Sequence, residues 1–170
     1  MQCFSLNSFM FWTDWGQTPK LERATLSGGQ RVTIVISNLH LPNGIDLDRR
    51  NRVVFWVDAG MDSVECVDYH GNNRKLLLEK VGSHFFGVTF FSSHLFISDW
   101  ASDGIYKLSA SNTNVTRVSR VSFSGVATLM GLVAYDSSRQ FAGMTDLKFQ
   151  GTLSAIIVLY YLAIDRKSVV

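Results

Sequence analysis

Short segments of apolar and polar residues, separated by turn-forming residues, follow one another along most of the chain. Residues 44–48 (GIDLD) alternate strictly, which is typical of a half-buried β-strand. Residues 53–57 (VVFWV) form a continuous β-branched and aromatic run, which fits a strand covered on both faces. Residues 63–68 resume a strand pattern, and after the turn signal HGNN residues 74–78 make another. We find no helical period of useful length before the last 30 residues, so the pattern predicts an all-β protein.

These strand patterns recur at a nearly constant interval. FWTDWG begins at Phe11, FWVDAG at Phe55 and FISDWA at Phe96, so the copies lie 44 and 41 residues apart. A fixed period of about 20–50 residues is the signature of repeat architectures.

Two further landmarks follow the same period. A glycine inside NGIDL, FGVTF and MGLVAY occurs at Gly44, Gly87 and Gly131, at intervals of 43 and 44 residues. The segments LERATLSGGQR and VECVDYHGNNR end at Arg31 and Arg74, again 43 residues apart. Three landmarks in one order at one period indicate a true repeat.

Four short strands in about 43 residues correspond to one blade of a β-propeller. The chain is long enough for the last three strands of one blade, two nearly whole blades and the first strand of another. We therefore predict partial propeller blades over residues 10–140. Residues 1–9 are expected to be a non-repeat segment, and residues 141–170 a divergent tail.

The motifs resemble one propeller family in particular. FWTDWG at residues 11–16 resembles the Tyr-Trp-Thr-Asp (YWTD) signature with Phe for Tyr, and LPNGI at residues 41–45 resembles the Pro-x-Gly segment that opens its blades. The order Asp99-Trp100 is the reverse of the WD-repeat ending, and kelch repeats are longer and use paired glycines. The chain thus resembles the class B repeats of low-density-lipoprotein-receptor-related proteins, whose propeller has six blades. Since six blades need roughly 260 residues, we expect this chain to be a fragment that does not close the ring.

The repeated aspartate has a physical role that can be predicted. A carboxylate at the end of an apolar strand is costly unless its oxygens accept hydrogen bonds. The resemblance implies that it ties neighbouring blades, that the motif tryptophans fill the space between blades, and that the glycines allow close backbone approach near the central channel. The residues expected in these structural roles are Asp14, Asp58, Asp99, Trp12, Trp56, Gly44, Gly87 and Gly131.

Repeated aspartates could also indicate calcium binding or acid–base catalysis. They recur once per blade, however, whereas an active site needs different groups at one point. We find no nucleophile elbow, phosphate-binding loop or HExxH motif. We therefore predict no catalytic residues, no metal site and no cofactor. Solvated or capping roles are expected for the four histidines, with a pH sensor as the alternative reading: His40, His70, His84 and His94.

Composition and short motifs limit the classes of partner and site that the chain could have. The net charge of +2 is too small to argue for nucleic acid, and the two cysteines, Cys3 and Cys66, form neither a disulfide framework nor a zinc motif. The sequon at Asn114 is a candidate glycosylation site. The N-terminal segment makes a poor signal peptide. The 12-residue apolar run at 153–164 is shorter than the roughly 20 residues of a membrane-spanning helix. It is open to three readings: a buried strand, an interfacial segment, or, as the favoured reading, sequence unrelated to the parent fold.

The resemblance implies an extracellular, non-catalytic module that binds protein ligands such as lipoproteins, Wnt-pathway proteins or matrix proteins. The parent would be a single-pass endocytic or signalling receptor in which EGF-like modules flank the propeller. Two alternatives remain: the propeller of a secreted nidogen-like matrix protein and, less favoured, a calcium-dependent six-bladed hydrolase.

Overall fold

The computed structural model describes residues 9–102, 104–110, 118–122, 129–134 and 156–160. Within these ranges the chain forms thirteen strands and no helix, as the periodicity predicts. The strands are β1 (Phe9–Asp14), β2 (Lys20–Thr25), β3 (Val32–Val35), β4 (Pro42–Asp48), β5 (Val53–Asp58), β6 (Ser63–Asp68), β7 (Lys75–Glu79), β8 (Phe85–Phe91), β9 (His94–Asp99), β10 (Gly104–Ser109), β11 (Val118–Ser122), β12 (Leu129–Ala134) and β13 (Ile156–Tyr160).

The strands form four antiparallel sheets. Sheet 1 contains β1, β2 and β3; sheet 2 contains β4 to β7; sheet 3 contains β8 to β11; and sheet 4 contains β12 and β13. Within sheets 1, 2 and 3 each strand pairs with the strand next to it in sequence. The sequence predicted the last three strands of one blade, two nearly whole blades and the first strand of another, and the all-β arrangement of antiparallel sheets is confirmed.

The first strand of each complete sheet carries the same irregularity. In sheet 2 the register shifts between Pro42 and Ile45, after which Ile45 lies opposite Trp56. In sheet 3 it shifts between Phe85 and Val88, after which Val88 lies opposite Ile97. The sequence pattern predicted a strand from residue 44, but β4 begins at Pro42 because the irregularity allows the strand to pair on both sides of Gly44.

Two hydrophobic clusters hold sheets 1, 2 and 3 together. Side chains of sheets 1 and 2 form one cluster, and side chains of sheets 2 and 3 form the other. Val54 and Trp56 of β5 belong to the first cluster, whereas Phe55 and Val57 belong to the second. Since successive side chains of a strand point to opposite faces, β5 is covered on both sides, and the continuous apolar run at residues 53–57 is thereby explained.

The first strands of sheets 2, 3 and 4 lie side by side. Three cross-sheet hydrogen bonds connect them. The backbone N–H of Phe90 and the hydroxyl of Thr89, both on β8, donate to Asp46 on β4, and the N–H of Ala134 on β12 donates to the Thr89 hydroxyl. This row of first strands positions the sheets relative to one another.

Part of the apolar tail is a strand. Ile156–Tyr160 pairs antiparallel with β12, with Val158 opposite Leu132 and Ile157 opposite Val133. This pairing agrees with the strand reading for Ile156–Tyr160. The rest of the tail lies outside the described residues, and the favoured reading, sequence unrelated to the parent fold, stays a prediction. Among those residues no helix has the length and apolar character needed to cross a membrane.

Candidate functional site

Asp58 lies at the end of β5, where it is fully buried. Its carboxylate accepts the backbone N–H groups of His40 (2.8 Å) and Leu41 (2.9 Å), which belong to the segment leading from sheet 1 into sheet 2. It also accepts the N–H groups of Gly60 and Met61 in the turn that follows β5. Four N–H donors offset the cost of burying this charge, and they bring the sheet connection to the strand end.

Asp99 occupies the matching position at the end of β9 and is also fully buried. It accepts the backbone N–H of His84 at 2.9 Å, in the segment that leads into sheet 3, and that of Ala101 at 3.1 Å. The Ser102 hydroxyl donates to its second oxygen at 2.6 Å. Burial acts to raise the pKa of Asp99, but these hydrogen bonds outweigh it, so the pKa lies below its usual value.

Asp14 differs from these two aspartates. Its side chain is 41% exposed, lies 3.9 Å from the Lys20 ammonium and accepts the N–H of Gly16 at 3.0 Å. Asp58 and Asp99 have additional N–H donors, and these lie in the segment before the first strand of the same sheet. The described part of sheet 1 begins at β1, so no such donor segment is described beside Asp14.

Trp56 lies in a repeated side-chain arrangement that sequence reasoning did not recognise. Trp56 faces Glu65 across β5 and β6, and the Arg74 guanidinium lies 5.3 Å from the Trp56 ring centre. Arg74 donates two hydrogen bonds to Glu65, at 2.7 and 2.9 Å. It also donates to the carbonyl oxygens of Ser37 and Asn38 in the segment between sheets 1 and 2, and it thereby links neighbouring sheets.

Sheet 1 has the same arrangement with fewer partners. Trp12 faces Glu22, and Arg31 lies 5.4 Å from the Trp12 ring centre while its Nε donates to Glu22 at 2.9 Å. The hydrogen bond from Arg31 is the main reason why the pKa of Glu22 lies below its usual value. Arg31 is 58% exposed and Arg74 only 24%. The 43-residue spacing of the two glutamates was the available sequence signal. Sheet 3 carries Ile97 and Tyr106 at these positions.

Gly44 lies where β4 and β8 approach most closely. A Cβ atom at Gly44 would come within 2.8 Å of both the Phe86 carbonyl oxygen and the Val88 nitrogen. Gly87 lies on the other side of this approach, and its N–H donates to the Ser98 hydroxyl at 2.8 Å. Gly131 occupies the corresponding position on β12 and is half-buried.

Asp46 is a second acceptor between sheets, and sequence reasoning missed it. The alternation of residues 44–48 predicted that Asp46 lies on the polar face of a half-buried strand. Its carboxylate instead accepts hydrogen bonds from the Phe90 N–H at 2.7 Å and from the Thr89 hydroxyl at 3.1 Å. The Thr89 oxygen accepts the Ala134 N–H at 3.2 Å. Burial raises the pKa of Asp46 despite these hydrogen bonds. No single residue type repeats at this position, so the repeat gave no signal.

The histidines lie in the connecting segments, in a turn and at a strand end. His40 packs on Gly60, His84 makes an edge contact with the Trp100 ring at 5.2 Å between ring centres, and the His94 ring nitrogen lies 2.8 Å from the Ser92 carbonyl oxygen. The backbone N–H of His70 donates to Asp68.

One rim of the stack exposes apolar side chains. We call this surface the loop rim: it consists of the turns after β1, β5 and β9 and the segments before β4 and β8. Asp58 and Asp99 hydrogen-bond across the turns after β5 and β9 and the segments before β4 and β8. At the end of β1, the Thr13 hydroxyl donates to the Asn43 carbonyl oxygen of β4 and brings the turn after β1 to the same side. The large apolar side chains exposed there are Trp15 (61%), Ile36 (63%), Met61 (45%), Val81 (87%) and Trp100 (44%).

The described residues include no group of three or more His, Cys, Asp or Glu side chains placed to hold a metal ion. Cys66 is a buried free thiol whose pKa is raised by burial. Asn114, the candidate glycosylation site, lies outside the described residues.

Comparison with known proteins gives the class of the chain. Residues 8–48 match the family model of the low-density lipoprotein receptor repeat class B. The crystal structure of a nidogen/laminin complex superposes with a TM-score of 0.65 and 28% identity, covering 73% of this chain and 46% of that one. Residues 8–48 thus resemble a class B (YWTD) repeat, and the chain has the fold of a β-propeller segment, as predicted.

Two relatives support the resemblance to one family of receptors. The chain is 39% identical over 97 residues to the vitellogenin receptor Yl of Drosophila melanogaster, covering 57% of this chain and 5% of the receptor. It is 29% identical over 98 residues to the human low-density lipoprotein receptor-related protein 5-like protein, covering 58% of this chain and 39% of that protein. The predicted resemblance to the low-density-lipoprotein-receptor-related family is confirmed. The chain spans well under half the length of these relatives.

Proposed function

We propose that this chain is a protein-binding propeller module of a receptor of the low-density-lipoprotein-receptor-related family, and that the loop rim contacts the ligand. The exposed aromatic and aliphatic side chains of that rim carry the proposal. Tryptophan is enriched among the residues that dominate protein–protein binding, and both Trp15 and Trp100 lie on this one surface.

The ligand class follows from the relatives. One is a vitellogenin receptor, another is a low-density lipoprotein receptor-related protein, and the superposed nidogen was crystallised in complex with laminin. We infer an extracellular ligand from one of three groups: a lipoprotein, a Wnt-pathway protein or a matrix protein. In the parent protein we infer a position on the cell surface, flanked by EGF-like modules, with an endocytic or signalling role.

We infer a non-catalytic role for the motif aspartates. Asp58 and Asp99 lie in different sheets, and the oxygens of each are occupied by backbone and hydroxyl donors. A calcium-dependent hydrolase would need several oxygen ligands converging on one ion. Assay of the chain with calcium on a panel of esters and lactones tests this inference, and turnover above the uncatalysed rate would contradict it.

A nidogen-like matrix protein is the second candidate function, favoured by the 28% identity of the superposed chain. Laminin binding without binding of lipoprotein or Wnt-pathway ligands would favour this candidate over a receptor.

Binding measurements on the 170-residue chain test the loop rim. The chain is immobilised and exposed to purified vitellogenin, low-density lipoprotein, a Wnt-pathway protein and laminin. We expect at least one to bind, and we expect the double variant Trp15→Ala/Trp100→Ala to weaken that affinity by about tenfold or more. Leu26→Ala is the matched control. Leu26 is 56% exposed, like the rim residues, but it lies in the turn after β2, at the end of that strand that is away from the loop rim. Equal weakening by Leu26→Ala, or no binding by any of the four, would contradict the proposal.

A further inference from the structure

Arg23 places a positive charge between sheets 1 and 2. It lies on β2 directly opposite Phe11 of β1, and Leu21, on the same face of β2, belongs to the hydrophobic cluster between these two sheets. The guanidinium lies over the Phe9 ring, 4.4 Å from its centre. Its Nε and Nη1 atoms are buried and have no hydrogen-bond partner among the described residues. A buried charge of this kind is costly unless an acceptor of opposite charge reaches it.

Tyr69 brings a second such group to the same interface. The residue is 5% exposed, and its ring packs on Phe11 at 4.6 Å between ring centres, so Tyr69 and Arg23 are both neighbours of one phenylalanine. Its hydroxyl is buried and has no hydrogen-bond partner in the part of the chain that the structure describes. Buried polar groups without a partner are rare in proteins, and an ion from solution is one of the partners that satisfy them.

Three further arginines lie in the turn between β4 and β5, residues 49–52, which we call the arginine turn. Arg49, Arg50 and Arg52 are exposed, and none of them forms an ion pair with a described residue. Burial raises the pKa of Tyr69, whereas Arg49 and Arg52 act to lower it, so both arginines lie near the phenol. The raised pKa keeps the phenol a hydroxyl that can donate a hydrogen bond at neutral pH.

The carboxylates at this end of the sheets are occupied by other donors. Asp48 accepts two backbone N–H groups of the arginine turn and the side-chain amide of Asn51. Asp68 accepts two backbone N–H groups and the side-chain amide of Asn73 in the turn after β6. Asp46 accepts two donors from β8. Within the described ranges none of these three carboxylates forms an ion pair with an arginine.

We propose that Arg23, Tyr69 and the arginine turn form an anion site, which we call the junction site, and that it binds a sulfate ester group of a sulfated glycan. A sulfate ester has three free oxygens, so it can accept hydrogen bonds from the buried guanidinium, from the phenol and from an exposed arginine together. The planar guanidinium matches the geometry of such oxyanions. A water molecule would accept the same hydrogen bonds but would leave the charge of Arg23 uncompensated.

The choice of a sulfated glycan as the source of the anion rests on the extracellular location proposed above, because sulfated glycans are polyanions of the cell surface and the matrix. Several exposed arginines beside one buried arginine favour a polymer with repeated charges over a single ion. The junction site is separate from the loop rim, since β4 begins beside that rim and ends at the arginine turn. A glycan and a protein ligand would therefore bind at opposite ends of the sheets.

Binding of heparin to the 170-residue chain at about 0.15 M ionic strength tests the site, because this salt screens contacts between exposed charges. We expect Arg23→Met and the double variant Arg49→Gln/Arg52→Gln each to weaken the affinity for heparin by about tenfold or more. Tyr69→Phe removes only the hydroxyl and should weaken the affinity by about threefold. Fully desulfated heparin should not compete with heparin.

Lys107→Met is the matched control for Arg23→Met. Lys107 is exposed and lies on β10 opposite Phe96, the position that corresponds to Arg23 opposite Phe11 in the repeat. The variant Lys20→Gln/Lys107→Gln removes two charges away from the site, as a control for the arginine turn. We expect either control to change the affinity for heparin by less than about twofold.

Three results of these binding measurements would each overturn the proposal. The first is a control variant that weakens heparin binding as much as the site variants do. The second is equal competition by desulfated heparin, and the third is no binding of heparin by the unaltered chain at this salt. Because purified heparin is the ligand throughout, the outcome does not depend on whether the loop rim binds protein.

Thermal denaturation separates a binding role of Arg23 from a structural one. Without heparin, we expect Arg23→Met to unfold at the same temperature as the unaltered chain or higher, since it removes an unpaired buried charge. Heparin should raise the unfolding temperature of the unaltered chain and leave that of Arg23→Met nearly unchanged. A lower unfolding temperature of Arg23→Met without heparin would overturn the proposal, because the guanidinium would then have a structural partner.

Discussion

Asp14, Asp58 and Asp99 occupy the same position of one sequence motif in three different surroundings. Asp58 accepts four backbone N–H groups, and Asp99 accepts two backbone N–H groups and a hydroxyl. Asp14 accepts one N–H and remains 41% exposed. We therefore expect the contribution of the motif aspartate to the free energy of unfolding to depend on whether the segment before a first strand lies beside it.

This difference predicts unequal effects of the same substitution. Asp58→Ala removes a fully buried carboxylate and leaves four backbone N–H groups, among them those of His40 and Leu41, without their acceptor, so we expect a loss of about 2–4 kcal/mol in the free energy of unfolding. Asp14→Ala should cost less than about 1 kcal/mol, since exposed ion pairs contribute little. Urea denaturation followed by circular dichroism measures both. Equal losses would show that Asp58 does not hold the connection between sheets.

The lowered pKa of Asp99 predicts a pH dependence of stability. Its folded pKa lies below the reference value of 3.8, so its contribution is fully present above that pH and is lost as pH falls through the folded pKa. Asp99→Asn keeps an oxygen for the His84 and Ala101 N–H groups but does not titrate. We expect this variant to lose less stability than the parent chain below about pH 4. Parallel stability curves over that range would contradict the assignment.

At the scale of elements, the first strands carry the contacts between sheets. The repeated glycine was visible in the sequence because only a residue without a Cβ fits between β4 and β8 at Gly44. The strand positions were predictable for a related reason: strands buried on both faces need continuous apolar runs, as in β5.

Gly44→Ala tests the close approach. The new Cβ would lie within 2.8 Å of backbone atoms of Phe86 and Val88, which cannot rotate away, so we expect a loss of about 2–4 kcal/mol in the free energy of unfolding. Gly29→Ala is the control, because its Cβ would meet only the Thr25 hydroxyl at 3.4 Å. Thermal denaturation of both variants gives the comparison. A Gly44→Ala chain as stable as Gly29→Ala would refute the inferred crowding.

The cross-sheet bonds of Asp46 and Thr89 could not be predicted from the repeat. The two positions hold different residues that share only an oxygen acceptor, so the sequences show no common letter. The sequence showed that the two arginines, Arg31 and Arg74, recur with the period of the repeat, but it did not show what they contact. Arg74 contacts Ser37 and Asn38 through their backbone carbonyls, which carry no sequence signature.

At the scale of the whole molecule, sheet 2 contributes to both hydrophobic clusters. Sheets 1 and 3 therefore depend on it. Asp58 joins sheet 2 to the segment that comes from sheet 1, and Asp46 joins it to β8 of sheet 3. Among the described residues, the loop rim is the surface that we propose for contacts with protein ligands.

Amide hydrogen exchange at residue resolution tests the central claim that carboxylates join neighbouring sheets. We predict that the N–H groups of Leu41, His84 and Phe90, which donate to Asp58, Asp99 and Asp46, exchange as slowly as those within β5. The N–H of Leu41 should lose that protection in Asp58→Ala while the centre of β6 keeps it. Fast exchange at these three amides in the unaltered chain, at the rate of exposed loops, would contradict the account.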